Sequence, residues 1–261
     1  MQVVNKVRED IKIYIATHSD FVAKVPAIYE PLLVGSDFNV AEHVSCKDNV
    51  GDNISRKNRS YCELTALYWM WKNSNSDVLG LVHYRRFFPG LAGNHDLFGI
   101  LGAGEVRHYL STHDILLIKE YQLHKESVYD QYKACHNEAD MVAVREIIAK
   151  KCPDYNQAFQ DVMLGSKLVR YNMFVANKTL VDEYCQWLFP LLFELEEVVS
   201  VSDYDGYQKR VYGFLAERLF TVWLAKRKPR IKYFALRNIE RQKRRQVIRI
   251  WLRAFTRRWL K

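Results

Sequence analysis

Residues 60–88 read SYCELTALYWMWKNSNSDVLGLVHYRRFF, and their order decides the kind of fold to expect. Ser60-Tyr61-Cys62-Glu63 has the spacing of a helix-capping box, and Leu64, Leu67, Tyr68 and Trp71 then recur at helical spacing. After the turn-forming Asn73 to Ser76 comes an unbroken apolar run, Val78 to Val82, as expected of a strand buried on both faces of a parallel sheet. The run ends abruptly in His83, Tyr84, Arg85 and Arg86. Ligands of open parallel sheets bind beyond the carboxyl ends of the strands, so this cluster is a candidate site.

The flanking sequence repeats the alternation. Upstream, IKIYIAT (11–17) is β-branched and aromatic and stops at the polar His18-Ser19-Asp20, a second buried strand with a second candidate edge. Residues 25–58 carry turn residues and no sustained period, with a short strand near Leu32 to Val34. Downstream, the five glycines between Pro89 and Gly104 suggest a flexible lid or acceptor loop. Asp114 to Ile118 reads as a strand. Helices are expected over Val128–Cys135, Glu138–Lys151 and Tyr155–Leu164, then a strand over Tyr171–Asn177. Thr179 to Asp182 and Ser202 to Asp205 look like two further capping boxes, each opening a long helix. The pattern predicts an α/β fold with a mainly parallel sheet flanked by helices.

Charge divides the chain unequally. Residues 226–261 hold 15 Lys and Arg against Glu240 alone, a balance of +14 within a total of +9, so the first 225 residues carry −5. We therefore expect a folded body over 1–225 and a basic helical tail over 226–261. Confined positive charge on an acidic body argues against nucleic acid as partner and for an anionic membrane surface. In the tail, Trp251, Phe255 and Trp259 fall at helical spacing among Arg249, Arg253 and other arginines, a pattern suited to the lipid interface. The five cysteines lack a C-x-x-C pair and read as reduced thiols. The N-terminus lacks the apolar run of a signal peptide, and no run suits a transmembrane helix, so the protein is expected peripherally on the cytoplasmic face of a membrane.

Many sugar-nucleotide transferases end such a strand in D-x-D, whose acids hold a divalent metal on the donor diphosphate. This strand ends in H-Y-R-R. Arginine grips a diphosphate directly through forked hydrogen bonds, and strand alternation would aim His83 and Arg85 to one side and Tyr84 and Arg86 to the other. No metal ligand and no cofactor are predicted, while a divalent ion such as Mn or Mg stays open. The loop Asp48 to Ser55 has Gly and Asn residues suited to an anion-facing backbone, with Asp52, Asn53 and Lys57 as donor-binding candidates; an Asx-rich turn is its plainer reading. An inverting transfer needs a group to take the acceptor's proton. Asp205 is the first candidate and Glu217 the second, with Asp52 and His18 also open. Asp205 has a rival role in a helix cap, and Glu217 in an ion pair with Arg218. No phosphate-binding G-x-x-x-x-G-K-[ST] loop occurs, which disfavours phosphoryl transfer.

The stretches KIYIATH, DNVGDNISRKNRSYCELTALYWMWKN, LGLVHYRRFF, YNMFVANK with EYCQWLF, and YDGYQKRVYGFLAERL span roughly residues 11 to 224. Together they resemble a family of bacterial glycosyltransferases from capsular and O-antigen clusters, long known as a domain of unknown function. The resemblance implies a GT-A-like nucleotide-sugar transferase; with a UDP-sugar as donor, the cationic, tryptophan-bearing tail suggests a lipid-linked or polysaccharide acceptor. Some relatives are similar to galactofuranosyltransferases. By position, the resemblance carries over Gly51, Asp52, Asn53, Lys57, Asn58, Tyr61 and Glu63, the H-Y-R-R residues His83 to Arg86, and Asn172, Asp205, Arg210, Glu217 and Arg218. The basic tail lies outside the shared pattern. The competing class is a non-catalytic membrane or polyanion-binding protein, from which nucleotide-dependent turnover would separate an enzyme.

Overall fold

A computed structural model describes residues 9–91 and 99–239. Its centre is a sheet containing β1 (Ile11–Thr17), β2 (Tyr29–Leu33), β3 (Cys46–Lys47), β4 (Val78–His83), β5 (Arg86–Phe87), β6 (Ile115–Ile118), β9 (Phe174–Asn177), β10 (Ile231–Phe234) and β11 (Arg237–Asn238). A separate two-stranded ladder joins β7 (Tyr121–Gln122) to β8 (Lys167–Leu168). The main path runs β10-β6-β9-β4-β1-β2-β3. β9 is antiparallel to both its neighbours, and the other pairs along the path are parallel. The sheet is therefore mostly parallel, as the alternation predicts.

The buried apolar runs form the central strands because both sheet faces are covered. On β4, Leu79 and Leu81 enter the larger core cluster, and Val78 and Val82 enter the smaller cluster on the opposite face. Gly80 lies between them with no room for more: a Cβ there would meet Val175 Cγ2 at 2.9 Å. The helices are α1 (Asn58–Tyr61), α2 (Leu64–Asn73), α3 (Ala103–Leu110), α4 (Val128–Cys135), α5 (Glu138–Lys151), α6 (Asn156–Leu164), α7 (Lys178–Glu196) and α8 (Val211–Arg227). Helix α8 has buried residues around its whole circumference, from Val211 and Tyr212 to Trp223 and Leu224. It is a core helix rather than an amphipathic surface one.

Several local expectations are corrected. The Ser60 capping box does not form: Ser60 Oγ donates to the Lys57 carbonyl, the chain breaks at Cys62 with φ 53°, and α2 starts only after Glu63. Asp182 pairs with Lys178 by an i,i+4 contact of 3.2 Å rather than capping from Thr179. Residues 226–239, which composition assigns to the tail, finish α8 and add β10 and β11 to the sheet. Their positive charge suits an edge strand, where lysines discourage further pairing. Residues 240–261, with Arg249, Trp251, Arg253, Phe255 and Trp259, lie outside the described residues. Among the described residues no helix is long and apolar enough to cross a membrane.

Candidate functional site

H-Y-R-R is a hairpin, not a strand end. β4 and β5 pair antiparallel with His83 opposite Arg86, and Tyr84-Arg85 form the turn between them. Chain reversal puts cross-strand partners on the same face, so His83 and Arg86 act together, contrary to simple alternation. His83 Nε2 lies 2.7 Å from the Tyr171 carbonyl, which can only accept, so Nε2 carries the proton. Nδ1 then accepts from Arg86 Nη1 at 3.5 Å. Burial, reinforced by the Arg86 charge, lowers the His83 pKa to about 4. His83 is thus neutral near pH 7, where it orients Arg86 and supplies no charge of its own. Arg86 also stacks over the Tyr171 ring at 4.4 Å, and Arg85 over Tyr84 at the same distance.

Two adjoining cavities open here. One, of about 630 Å³, lies beyond the carboxyl ends of β1 and β4, where Thr17, His18 and Tyr84 line it. His18 packs edge-on against Tyr84 with centroids 5.0 Å apart. Arg59, Arg85, Arg86, Lys209 and Arg210 border this cavity, with Glu63 its sole carboxylate among the described residues. The second, of about 450 Å³, is bounded by the β7–β8 ladder, the start of α8 and the hairpin. It is aromatic and nearer to charge balance: Tyr121, Tyr171, Tyr207 and Phe214 line it, and three glutamates, Glu63, Glu126 and Glu217, face four arginines, Arg86, Arg170, Arg210 and Arg218. Cys62, Glu63, His83, Arg86 and Arg210 border both.

Helix α8 supplies much of the second cavity. Glu217 Oε1 accepts from the Tyr171 backbone N–H at 2.7 Å, and Oε2 pairs with Arg218 Nη1 at 3.3 Å. Burial raises the Glu217 pKa while Arg218 opposes the rise. Arg218, 4% exposed, also donates to the Phe214 carbonyl and to Gln131 Oε1. Arg210 Nε donates to Cys62 Sγ at 3.2 Å. Buried Asn172 donates Nδ2 to Glu63 Oε1 at 2.8 Å. Burial raises the Glu63 pKa, with the Asn172 hydrogen bond working against it.

The structure thus gathers His18, His83, Tyr84, Arg85, Arg86, Arg210, Glu217 and Arg218, with Asn172 immediately behind. It does not gather the donor loop or the first candidate base. Asp52 accepts from Tyr68 Oη at 3.0 Å, Asn53 closes a turn on the Gly51 carbonyl, and Lys57 pairs with Glu196 at 2.5 Å. None of the three lines either cavity. Asp205 is exposed and accepts from the backbone N–H groups of Tyr207 and Gln208, capping the short 3-10 turn before α8. Glu63, which its spacing from Ser60 assigns to a helix cap, borders both cavities instead; its place in the longest stretch shared with the family is the signal for it in the sequence. Among the described residues no group of three or more His, Cys, Asp or Glu is placed to hold a metal ion.

The fold and its cavities define an α/β protein with two adjoining cavities at the carboxyl edge of its sheet, one lined mainly by cations and the other by aromatic rings with carboxylates and arginines in near balance. The chain belongs to the family described as Domain of unknown function (DUF4422), whose model matches residues 12–228. It is also similar to the apo structure of the bifunctional glycosyltransferase WbbM, with TM-score 0.81 and 31% identity over 87% of this chain. The match spans 45% of that protein's chain, so this chain corresponds to about half of it. No curated protein matches the chain.

Proposed function

We propose that the protein is a glycosyltransferase that moves a sugar from a UDP-sugar, galactofuranose being the first candidate, to a lipid-linked or polysaccharide acceptor of capsule or O-antigen synthesis. The observation that carries this reading is the division of charge between two cavities with a common wall. Five cations facing one carboxylate suit the donor's diphosphate, whose leaving charge they would stabilise in place of a metal. The neighbouring aromatic and carboxylate lining suits a glycan, which offers apolar C–H faces to rings and hydroxyls to acids. Transfer would take place at the shared wall. Likeness to a glycosyltransferase structure supports the reaction class.

Thermal unfolding with UDP, in EDTA and again with Mn²⁺, tests the donor site. UDP at 100 times its dissociation constant should add about 2.7 kcal/mol of stability. Stabilisation in EDTA supports the cationic grip, stabilisation only with Mn²⁺ points to a metal-assisted one, and none in either sinks the reading. Arg86→Ala should weaken UDP binding by roughly 1.5–3 kcal/mol, the worth of a charge-assisted hydrogen bond, measured by calorimetric titration.

The membrane-surface role of the tail belongs to the same proposal. The chain enters residues 240–261 from β11, beside the hairpin, where the Ile239 N–H donates to the Arg85 carbonyl at 3.0 Å. A basic, tryptophan-bearing segment leaving from this point would hold the site close to an anionic surface carrying a lipid-linked acceptor. Full-length protein should co-sediment with phosphatidylglycerol vesicles and release at high salt, whereas a chain ending at Ile239 should stay in the supernatant. Equal binding by both would remove the tail from this role.

A further inference from the structure

Among the described residues, Glu63 is the only carboxylate bordering both cavities. Oε1 accepts from Asn172 Nδ2, the Glu63 backbone N–H is turned toward the same carboxylate, and no other side chain among the described residues hydrogen-bonds it. The backbone around it is unusual. Cys62 (φ 53°), Tyr171 (φ 77°) and Asn172 (φ 49°) are three of the four non-glycine residues with positive φ in the described chain. Such conformations are costly and persist where the surroundings over-determine them, often at functional sites. Cys62 precedes Glu63, and Tyr171-Asn172 bring up the amide that grips it. Asn172 is 1% exposed, and its buried Oδ1 has no partner. Turned over, the same amide could accept from a protonated Glu63, so Asn172 can support the carboxyl in either state.

Glu217 lacks this freedom. It lines only the second cavity, and both its oxygens are engaged, by the Tyr171 N–H and by Arg218.

We propose that Glu63 is the catalytic base, a step that rests on the two-cavity reading above. Glu63 Oε2 takes the proton of the acceptor hydroxyl as that oxygen bonds to the donor's anomeric carbon. The bond from that carbon to the diphosphate oxygen breaks, and its electron pair leaves on UDP beside Arg86 and Arg210. Glu63 returns the proton to solvent before the next cycle. Burial raises this carboxyl above its ordinary range and makes it a stronger base than an exposed glutamate.

The test compares wild type, Glu63→Gln and Glu63→Asp, with UDP as binding probe and a panel of UDP-hexoses, including UDP-galactofuranose, with octyl glycosides as transfer substrates. Glu63→Gln should bind UDP at least as tightly as wild type, because a negative charge leaves a cationic cavity, while transfer falls by about 10²- to 10⁴-fold. In wild type the rate should rise with pH through the raised carboxyl pKa. Glu63→Asp should keep part of the rate with that limb displaced, a change that a merely structural role would not produce. A Glu63→Gln enzyme that binds UDP and transfers within about tenfold of wild type overturns the assignment. A wild type that neither binds UDP nor transfers overturns the two-cavity reading first, and the assignment with it.

Discussion

Glu217→Gln is expected to lower stability by about 3 kcal/mol, the cost of leaving a buried charge without its counter-ion, which is roughly a 6–12 °C fall in Tm for a chain of this size. The charge at issue is Arg218, 4% exposed and paired through Nη1 with Glu217 at 3.3 Å. Glutamine can still accept from the Tyr171 N–H, so the loss isolates the ion pair. Burial pulls the Arg218 pKa down and Glu217 pulls it back, the pattern of a cation that depends on its partner. Burial raises the pKa of both glutamates, but Glu63, unlike Glu217, has no cation hydrogen-bonded to its carboxylate, so Glu63→Gln leaves no buried charge unpaired and should behave in the opposite way. A carboxyl whose folded pKa is raised by burial binds its proton more tightly in the folded state. Its ionisation therefore costs stability as pH rises from the ordinary carboxylate range through the raised value. Glutamine has no charge to desolvate. The Tm of Glu63→Gln should match wild type near pH 4 and exceed it increasingly toward pH 7, whereas Glu217→Gln should lie below wild type at pH 7. Thermal melts of the two variants across pH 4 to 8 would decide it, and two variants shifting together would mean that the two acids share one role.

These two glutamates mark how far the sequence can be read. Elements buried on all sides announce themselves through continuous apolar runs, and β1 and β4 begin where the pattern puts them. Helices α4 and α5 match the expected bounds because polar residues, Ser127 and Asn137, cap them locally. Local chemistry also produced the errors. A serine followed three residues later by glutamate has the same spacing whether the acid caps a helix or enters a cavity. The difference at Glu63 is made by Asn172, 109 residues away, and no local window contains it. Strand β10 was hidden by composition, since Lys232 and its basic neighbours resemble a solvated tail until Ile231 pairs with Ile115 of β6. Helix α3 begins directly after Gly102 and contains Gly104, so a glycine-rich loop was the natural reading. The cations of the first cavity come from distant segments, Arg59 before α2, Arg85 and Arg86 in the hairpin, Lys209 and Arg210 before α8; the strand pattern points to the hairpin pair and the family resemblance to Arg210, while nothing local joins Arg59 and Lys209 to them.

Asp52, Asn53 and Lys57 line neither cavity, and Asp48 shows what their loop holds together. Its carboxylate is fully buried and accepts four hydrogen bonds: from Gly35 N on Oδ2 at 2.8 Å, and on Oδ1 from Ser36 N at 3.0 Å, Ser36 Oγ at 2.7 Å and Ser55 Oγ at 2.5 Å. No basic side chain pairs with it among the described residues, so these dipoles alone compensate the burial of its charge. They join the turn after β2 to the short 3-10 turn that leads into Asn58 and Arg59 on the wall of the first cavity. Gly35, at φ 58°, is pressed against Asn58 so closely that a Cβ there would lie 2.6 Å from Asn58 Oδ1. Asp48→Asn keeps the volume but turns an amide N–H₂ toward groups that are themselves donors. Each hydrogen bond to a charged group is worth about 1.5–3 kcal/mol, and a buried donor left unpaired costs about 1–3 kcal/mol, so a loss of roughly 3 kcal/mol is expected. Because the same carboxylate sets the backbone beneath Arg59, UDP affinity should fall as well, though Asp48 touches neither cavity. Urea unfolding and UDP titration on one Asp48→Asn preparation separate the two effects. Lost stability with unchanged UDP affinity would make Asp48 a folding anchor alone, and loss of both would establish that this loop acts on the donor site by holding its wall in place.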